Sequence, residues 1–400
     1  MTTILVTGAT GRVGRHVVQG LLDAGVSVRA LVRTPLLAGL PNEVEVVQGD
    51  IYDPAAVERA ASEVDAAFLL WPSYSAEGAG DVVAALTKQV PRVVYLSSLN
   101  VADEDPAASG VWGEIETMLS DADWTFLRPG GFMVNTQEWA DEIRTGDVVR
   151  MPSPGAGRSL IHERDIAAVA VLALLDDKHI GQTYRLTGPE VLTQAEQVAV
   201  LGEAVGKSAR VEEQSAEAVR QAMVEQGVDP SFADGALAYW ASLVDTPEPV
   251  TDTVESLLGR PALTFREWAE EHADEFRVLP TAEVANRYVE AFRTGDLSRA
   301  TSLIAPDMVR VAPLEGTGDH QGLADIMANA QQLTADVEIL GVDLLGPLLL
   351  DDHFAVRFTF DARDRTTGDR DASTKLSLYT VTTGRITREE VFYLTPPPGA

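Results

Sequence analysis

Residues 4–14 read Ile-Leu-Val-Thr-Gly-Ala-Thr-Gly-Arg-Val-Gly, and the fold follows from this stretch. Ile4 to Thr7 is a short apolar run suited to a buried strand. From Arg12 to Ala24, Val13, Val17, Val18, Leu21 and Leu22 fall on one side of a helix. A glycine-spaced turn between a strand and a helix is the context that makes such spacing specific for a dinucleotide. Gly8 permits the tight turn, Gly11 lets a pyrophosphate approach the backbone, and Gly14 lets helix and sheet meet closely. Thr10, Arg12 and Val13 belong to the same turn, where the helix N-terminus offers N–H groups and the positive end of its dipole.

Further strand and helix patterns alternate downstream. Ser27–Val32 and Val44–Gln48 read as strands, and Asp53 is placed to cap a helix that starts at Pro54. Ala66–Leu70 and Val93–Ser97 are apolar enough for buried strands, with a helical stretch from Gly80 to Gln89 between them. Trp124–Leu127 leads into Arg128-Pro129-Gly130-Gly131. Repeated βα units with apolar strands predict an α/β fold with a doubly wound parallel Rossmann sheet.

The end of the second strand bears on the cofactor. An NAD-selective site places Asp or Glu there for the ribose 2′-OH, whereas this chain has Leu31-Val32-Arg33-Thr34. The Arg33 guanidinium suits a 2′-phosphate, with Arg12 able to assist, so the expected cofactor is NADP(H). Asp50 and Ile51 are expected at the adenine edge. Leu70, Trp71 and Pro72 are expected along the path to the nicotinamide.

From about residue 151 to 278 the pattern turns mainly helical, as in a substrate-side lobe. Helices are expected at Thr193–Val205, Ala216–Gln226 and Phe232–Leu243, and Asp165 is expected to cap the helix Ile166–Leu175. Pro280 marks a boundary, which gives domains at 1–278 and 281–400. The last part opens with a helix at Ala282–Arg293 and continues with strands near Met308–Val311, Asp336–Leu344, His353–Phe360, Lys375–Val381 and Ile386–Tyr393, an α+β order. Phe354, Val356, Phe358 and Phe360 alternate with His353, Ala355, Arg357 and Thr359, as a half-buried strand requires. Pro396 to Pro398 form a simple stop.

The net charge of −30 over 400 residues repels phosphate backbones and anionic lipid, so neither nucleic acid nor membrane is an expected partner. The absence of cysteine removes disulfides and thiolate metal sites, and no metal is expected. The N-terminus lacks the pattern of a signal peptide, and a cytoplasmic location is expected.

As a set, TGATGRVG, LVR, QGD, VVYLSS, TFLRPGGFMVN, SLIHERDIAAVA and YRLTGPEVLT resemble the NmrA-like branch of the atypical short-chain dehydrogenase/reductases over roughly the first 275 residues. The resemblance implies NADP(H) binding, with reduction in many members and redox sensing in others. Pro129 and Gly130, in the RPGG turn, and Ser97 join the expected cofactor contacts. The family's catalytic pattern is absent. With Glu116 laid on its acidic position, Trp112 falls where a lysine would stand and Ala108 where a tyrosine would, while Lys88 belongs to an earlier helix. Ser97 and Ser98 remain to hydrogen-bond a carbonyl, and a quinone could be reduced without a strong protein acid. His162 is read as structural.

AEVANRYVEAFRTGDLSRATSLIAPDMV, GTGDHQGLADIM and KLSLYTVTTGRITREEVFY resemble the SnoaL-like part of the NTF2-like superfamily. The resemblance implies a curved sheet wrapped by helices into a cone with an apolar pocket. There desolvation brings ionisable groups toward neutral pKa values. Candidates are Asp307, His320, His353, Glu389, Glu390 and Tyr393. Strand parity allows only one of the two glutamates to face inward, and Glu390, with His320, is the choice.

Together the halves suggest an NADPH-dependent reductase for a quinonoid or carbonyl aromatic small molecule of polyketide type, as in antibiotic biosynthesis. The second domain would process the product by hydroxylation, cyclisation or isomerisation. An NADP(H) sensor without turnover, with the NTF2-like domain forming a homodimer, is the alternative. A third reading leaves catalysis to the cone alone.

Overall fold

The computed structural model describes residues 2–35, 38–225, 227–315, 319–333 and 337–395. Pro396–Pro398, Asp336, Gln226 and residues 316–318 of the GTGDHQGLADIM segment lie outside the described residues. The chain divides into two compact units, residues 1–276 and 277–400.

In the first unit seven strands form one sheet: β1 (Thr3–Thr7), β2 (Ser27–Val32), β3 (Glu45–Gln48), β4 (Ala66–Leu69), β5 (Arg92–Leu96), β6 (Asp123–Pro129) and β7 (Gln182–Leu186). Their order is β3-β2-β1-β4-β5-β6-β7, and every pairing is parallel. Helices α1 (Gly14–Asp23), α2 (Pro54–Ala61), α3 (Ala79–Thr87), α4 (Val111–Met118) and α5 (Glu163–Leu175) cover its two faces. Val17, Val18 and Leu21 of α1 join Ile166 and Ala170 of α5 against Ile4 and Val6. Val57, Val82, Val83 and Ile115, from α2, α3 and α4, enclose Leu5, Ala67 and Leu69 on the other face. A strand covered on both sides must be apolar throughout, which is why β1 has no polar alternation. Full burial of each such side chain contributes roughly 1.5–3 kcal/mol.

Two features differ from the sequence expectation. β7 lies inside the stretch read as a helical lobe. It pairs only with β6, and its residues Gln182, Thr183 and Arg185 are exposed, so it lacks the apolar signature of the inner strands. Asp165 does not cap α5. His162 does, its Nδ1 accepting from the Arg164 amide at 3.1 Å. Asp165 is fully buried, where it takes Arg260 Nη2 at 2.6 Å and the Leu263 amide at 2.7 Å and pins that loop. Asp53 caps α2 as expected, accepting from the Ala55 amide at 3.0 Å. The three expected lobe helices are Gln194–Ala204, Ala216–Glu225 and α6 (Pro230–Asp245), and shorter ones follow at Thr253–Leu258, Phe265–Glu271 and Ala273–Phe276.

The second unit opens with α7 (Thr281–Thr294). Its strands are β8 (Ile304–Val311), β9 (Asp319–Gln321), β10 (Val337–Leu350), β11 (His353–Asp364), β12 (Arg370–Thr382) and β13 (Arg385–Tyr393), with α8 (Leu323–Leu333) between β9 and β10. They form a mixed sheet in the order β9-β8-β13-β12-β11-β10, in which only β8 and β13 run parallel. Phe354, Val356 and Phe358 of β11 face α7 and meet Val284, Tyr288 and Val289, as the alternation predicts. β10 is an edge strand with Leu345, Leu348 and Leu350 at least 60% exposed. Its pairing with β11 shifts register between Ile339 and Gly341 and again between Leu345 and Leu348, around Pro347. Among the described residues, no helix is long and apolar enough to cross a membrane.

Candidate functional site: a dinucleotide crevice and a buried charged row

The strand order reverses between β1 and β4, and the crevice at their carboxyl ends is where open α/β sheets bind ligands. Thr7 closes the base of this crevice. Its Oγ1 accepts from the Leu70 amide at 2.8 Å and lies 3.2 Å from the Phe68 carbonyl, tying the ends of β1 and β4 together. Gly8 has φ +64°, and a Cβ there would press on Leu70 at 3.3 Å. A Cβ on Gly14 would stand 2.0 Å from the Gly8 carbonyl, so any side chain there would push α1 off the turn. A Cβ on Gly11 would meet only that same carbonyl, at 3.1 Å. Among the described residues, no backbone carbonyl accepts from the amides of Thr10, Arg12 or Val13 at the start of α1. Uncommitted amides on a helix N-terminus, around a glycine whose side would face a ligand, fit a diphosphate.

Arg33 follows β2, is exposed, and its guanidinium has no partner among the described residues. Arg12 instead reaches Asn135 Oδ1 at 2.9 Å, across the mouth of the glycine turn. Arg15, absent from the sequence expectation, folds back onto the Thr10 carbonyl at 3.2 Å and the Gly11 carbonyl at 3.3 Å. Its one-turn spacing from Gly11 was the available signal. Asp50 holds the turn after β3, where its Oδ1 accepts from the Tyr52 amide at 3.1 Å, and Ile51 is half-buried beside it. Trp71 is buried, its Nε1 donating to the Ser75 carbonyl at 2.8 Å, whereas Leu70 and Pro72 keep exposure. Pro129 is buried and its carbonyl accepts from Leu99, while the Gly130 amide donates to Leu186.

Ser97 differs from its expected role. It is buried, and its hydroxyl donates to Glu116 Oε1 at 2.5 Å. Glu116 also receives Arg128 Nε at 2.9 Å and Nη2 at 2.6 Å, and Arg128 Nη1 continues to the Val101 carbonyl at 3.0 Å and Asp103 Oδ1 at 2.5 Å. The Ser97 proton is therefore committed to a buried carboxylate. Ser98, half-buried, only accepts, from Asn100 at 3.3 Å, and keeps its hydroxyl proton. Past β4, the Tyr74 ring meets Trp112 of α4 edge-on at 6.1 Å and lies 4.2 Å from Phe232 of α6.

A family model described as NAD(P)H-binding matches residues 8–177, and one described as a SnoaL-like domain matches 285–389. A (4-alkanoyl-5-oxo-2,5-dihydrofuran-3-yl)methyl phosphate reductase of Streptomyces griseus is 39% identical over 279 residues, covering 68% of this chain and 99% of its own. The chain belongs to the NmrA-like, NAD(P)H-binding short-chain dehydrogenase/reductases. An NAD(P)H azoreductase of Xenophilus azovorans is 36% identical over 282 residues, covering 68% of this chain and 99% of that protein. The solved NADPH-dependent quinone oxidoreductase of Escherichia coli superposes with a TM-score of 0.57 at 25% identity, covering 67% of this chain and 98% of that one. This NmrA-like chain is thus an NAD(P)H-dependent oxidoreductase with a SnoaL-like domain in the C-terminal part of its sequence. About a third of its length has no counterpart in the first two relatives.

In the SnoaL-like unit of this NmrA-like chain, the interior carries charge. Cross-strand register puts Phe354, Tyr379, Glu389, Arg310 and His320 in one row over five strands. Glu389, not Glu390, faces inward. Glu389 is 4% exposed and accepts from Ser377 at 2.7 Å and Tyr379 at 3.2 Å, whereas Glu390 is half-exposed beside Arg388 at 3.3 Å. Parity grouped Glu389 with Val391, but only the pairing with β8 decides which set turns inward. Arg310 lies 2.7 Å from Glu315, which also takes Asn329 at 2.9 Å and Tyr393 at 2.5 Å. Lys375 stands 3.8 Å from Glu389. Burial would raise the Glu389 carboxyl, but Arg310 and Lys375 hold it below the usual range. Burial pushes the Tyr379 hydroxyl well up. His320 is buried with Nδ1 3.2 Å from Asp325, Asp307 is exposed, and His353 pairs with Asp352 at 2.6 Å. Arg310, Glu315, Lys375, Ser377 and Tyr379 were not anticipated. For Lys375, Ser377 and Tyr379 the signal was a polar face at every second residue of β12. Among the described residues, no group of three or more His, Asp or Glu is arranged to hold a metal.

Proposed function

We propose that the chain is an NADPH-preferring reductase that delivers hydride to a quinonoid or carbonyl aromatic small molecule, and that the C-terminal unit then processes the product. The observation that carries the cofactor choice is Arg33, exposed and with no guanidinium partner among the described residues, where an NAD-selective site has an acid. When bound, the cofactor supplies the hydride. The chain's own groups do the remainder. The Gly8–Gly14 turn and the α1 dipole hold diphosphate, Arg33 meets the 2′-phosphate, and the Ser98 hydroxyl offers a hydrogen bond to the substrate oxygen. The ring cluster of Tyr74, Trp112 and Phe232 supports a flat aromatic substrate through ring-to-ring contact. A hydroquinone product draws its protons from water, so no tyrosine acid is needed.

The committed Ser97 hydroxyl and the missing Tyr–Lys pair favour the second reading, a sensor that binds NADP(H) without turnover. Following NADPH absorbance with para-benzoquinone separates the two. Stoichiometric oxidation supports the reductase, and tight binding without oxidation supports the sensor. The leucine-rich side of β10 is the face on which a homodimer of the C-terminal unit would form.

A further inference from the structure

Four of the 31 basic residues are lysines, Lys88, Lys178, Lys207 and Lys375, and arginine fills the remaining 27 places. Lys88 and Lys178 have side chains 66% and 65% exposed, and Lys207 donates to the carbonyls of Ile143 and Arg144 at 2.7 and 2.8 Å. Lys375 is different. It is 8% exposed, on the inward side of β12, and its Nζ has no hydrogen-bond partner among the described residues. Its Nζ lies 5.5 Å from the Phe358 ring centre and 5.7 Å from that of Phe360, with Glu389 Oε1 at 3.8 Å.

If this position needed only a positive charge, arginine would serve better, since it keeps its proton when buried and makes more hydrogen bonds. What lysine adds is an amine that can lose its proton. Burial lowers its pKa here, against the pull of Glu389. Two further buried polar atoms in the same interior, Arg310 Nε and His320 Nε2, lack hydrogen-bond partners among the described residues, as at a surface built to meet a polar ligand.

We propose that Lys375 is the nucleophile of a second catalytic centre, which takes the carbonyl carbon of an aldehyde or ketone as a Schiff base with Glu389 carrying the protons. Glu389 accepts one proton from the ammonium, and the freed lone pair forms the N–C bond as the carbonyl π pair moves to oxygen. That proton passes to the oxygen, giving a carbinolamine. Glu389 then relays a second proton from nitrogen to the same oxygen, the C–O bond breaks, and water leaves. Two of the three ammonium protons depart in the water and one remains on the iminium nitrogen, so charge is conserved and no oxidant or reductant is used. The iminium draws electrons from the adjacent carbon, which eases loss of a proton or cleavage of a carbon–carbon bond there. Ser377 and Tyr379 position the Glu389 carboxylate for both transfers. The proposal rests on the reading that the C-terminal unit is catalytic.

The test treats the full chain at neutral pH with limiting benzaldehyde and sodium cyanoborohydride, followed by peptide mass spectrometry of all four lysines. Acetaldehyde is run in parallel as a smaller probe. The expected result is a reduced adduct on Lys375 in roughly tenfold excess over those on Lys88 and Lys178, with either probe. Lys375→Arg should remove that adduct and leave NADPH oxidation unchanged, so failure of this proposal and failure of the reductase reading stay distinguishable. Glu389→Gln should slow trapping at Lys375 by about tenfold. Labelling of Lys375 equal to or below that of the two exposed lysines with both probes overturns the proposal.

Discussion

Glu116 and Arg128 meet through two hydrogen bonds, at 2.9 and 2.6 Å, with both side chains almost fully buried. The pair joins α4 to the end of β6. Through Ser97 and Val101 it also fixes the loop after β5, the rim on which Ser98 stands. Removing one partner of such a pair leaves an uncompensated buried charge. Glu116→Ala is expected to lower unfolding stability by roughly 3–5 kcal/mol in urea denaturation.

Ser97 and Ser98 should then separate. Ser97→Ala removes a hydrogen bond to a charged group and is expected to reduce stability by about 1.5–3 kcal/mol with little effect on turnover. Ser98→Ala should leave stability nearly unchanged and lower kcat with a quinone. The reverse pattern would return Ser97 to the catalytic site.

Arg33→Ala is expected to weaken NADPH binding by about tenfold or more and leave NADH binding unchanged, because one charge-assisted contact to phosphate is lost. Fluorescence titration with both cofactors checks it. Equal affinities in the wild type would overturn the NADP assignment.

Gly11→Val should abolish dinucleotide binding while the fold persists. In the structure a Cβ there meets only the Gly8 carbonyl at 3.1 Å, so the branched side chain would extend over the open side of the turn. Calorimetric titration paired with a far-UV circular dichroism melt distinguishes lost binding from lost fold.

How much of this was readable in the sequence varied with how local the cause was. The glycine turn, Asp53 and the apolar strands reported themselves, because their roles depend on neighbours a few residues away. β7 did not, since an edge strand can be polar. β12 misleads outright. Leu376 and Leu378 suggest the apolar inner face, yet Lys375, Ser377 and Tyr379 turn inward. The hydrophobic rule fails there because the interior carries a balanced set of charges, two cations and two carboxylates, that become neighbours only when β8, β12 and β13 assemble.

His162 gives the first unit an acid limit. Its pKa is pushed down to about 3, first by burial and then by Arg164, His272, His16 and Arg260. Glu163 and Glu271, 3.5 Å from its ring nitrogens, favour the charged form but are outweighed. With the folded value below the unfolded 6.5, the native state binds fewer protons in between. Stability therefore rises with pH across that window and is lost as pH falls through it. Protonation also removes the lone pair that caps α5. Denaturation midpoints measured from neutral pH downward should fall, and His162→Asn, which caps without titrating, should flatten the slope.

A fragment of residues 1–278 is expected to fold and bind NADPH by itself, because its sheet and helices bury their own core. A cooperative melt that moves upward with added NADPH would verify it.

The two register shifts in β10, the second of them around Pro347, bear on what that edge can offer to another copy of this chain. A long, leucine-bearing outer strand would ordinarily template the main-chain ladder of a neighbour and grow into a ribbon. Here the run of backbone donors is interrupted twice, and Pro347 supplies no donor at all. An edge broken in this way is a poor template for a continuous ladder, although its leucines stay exposed.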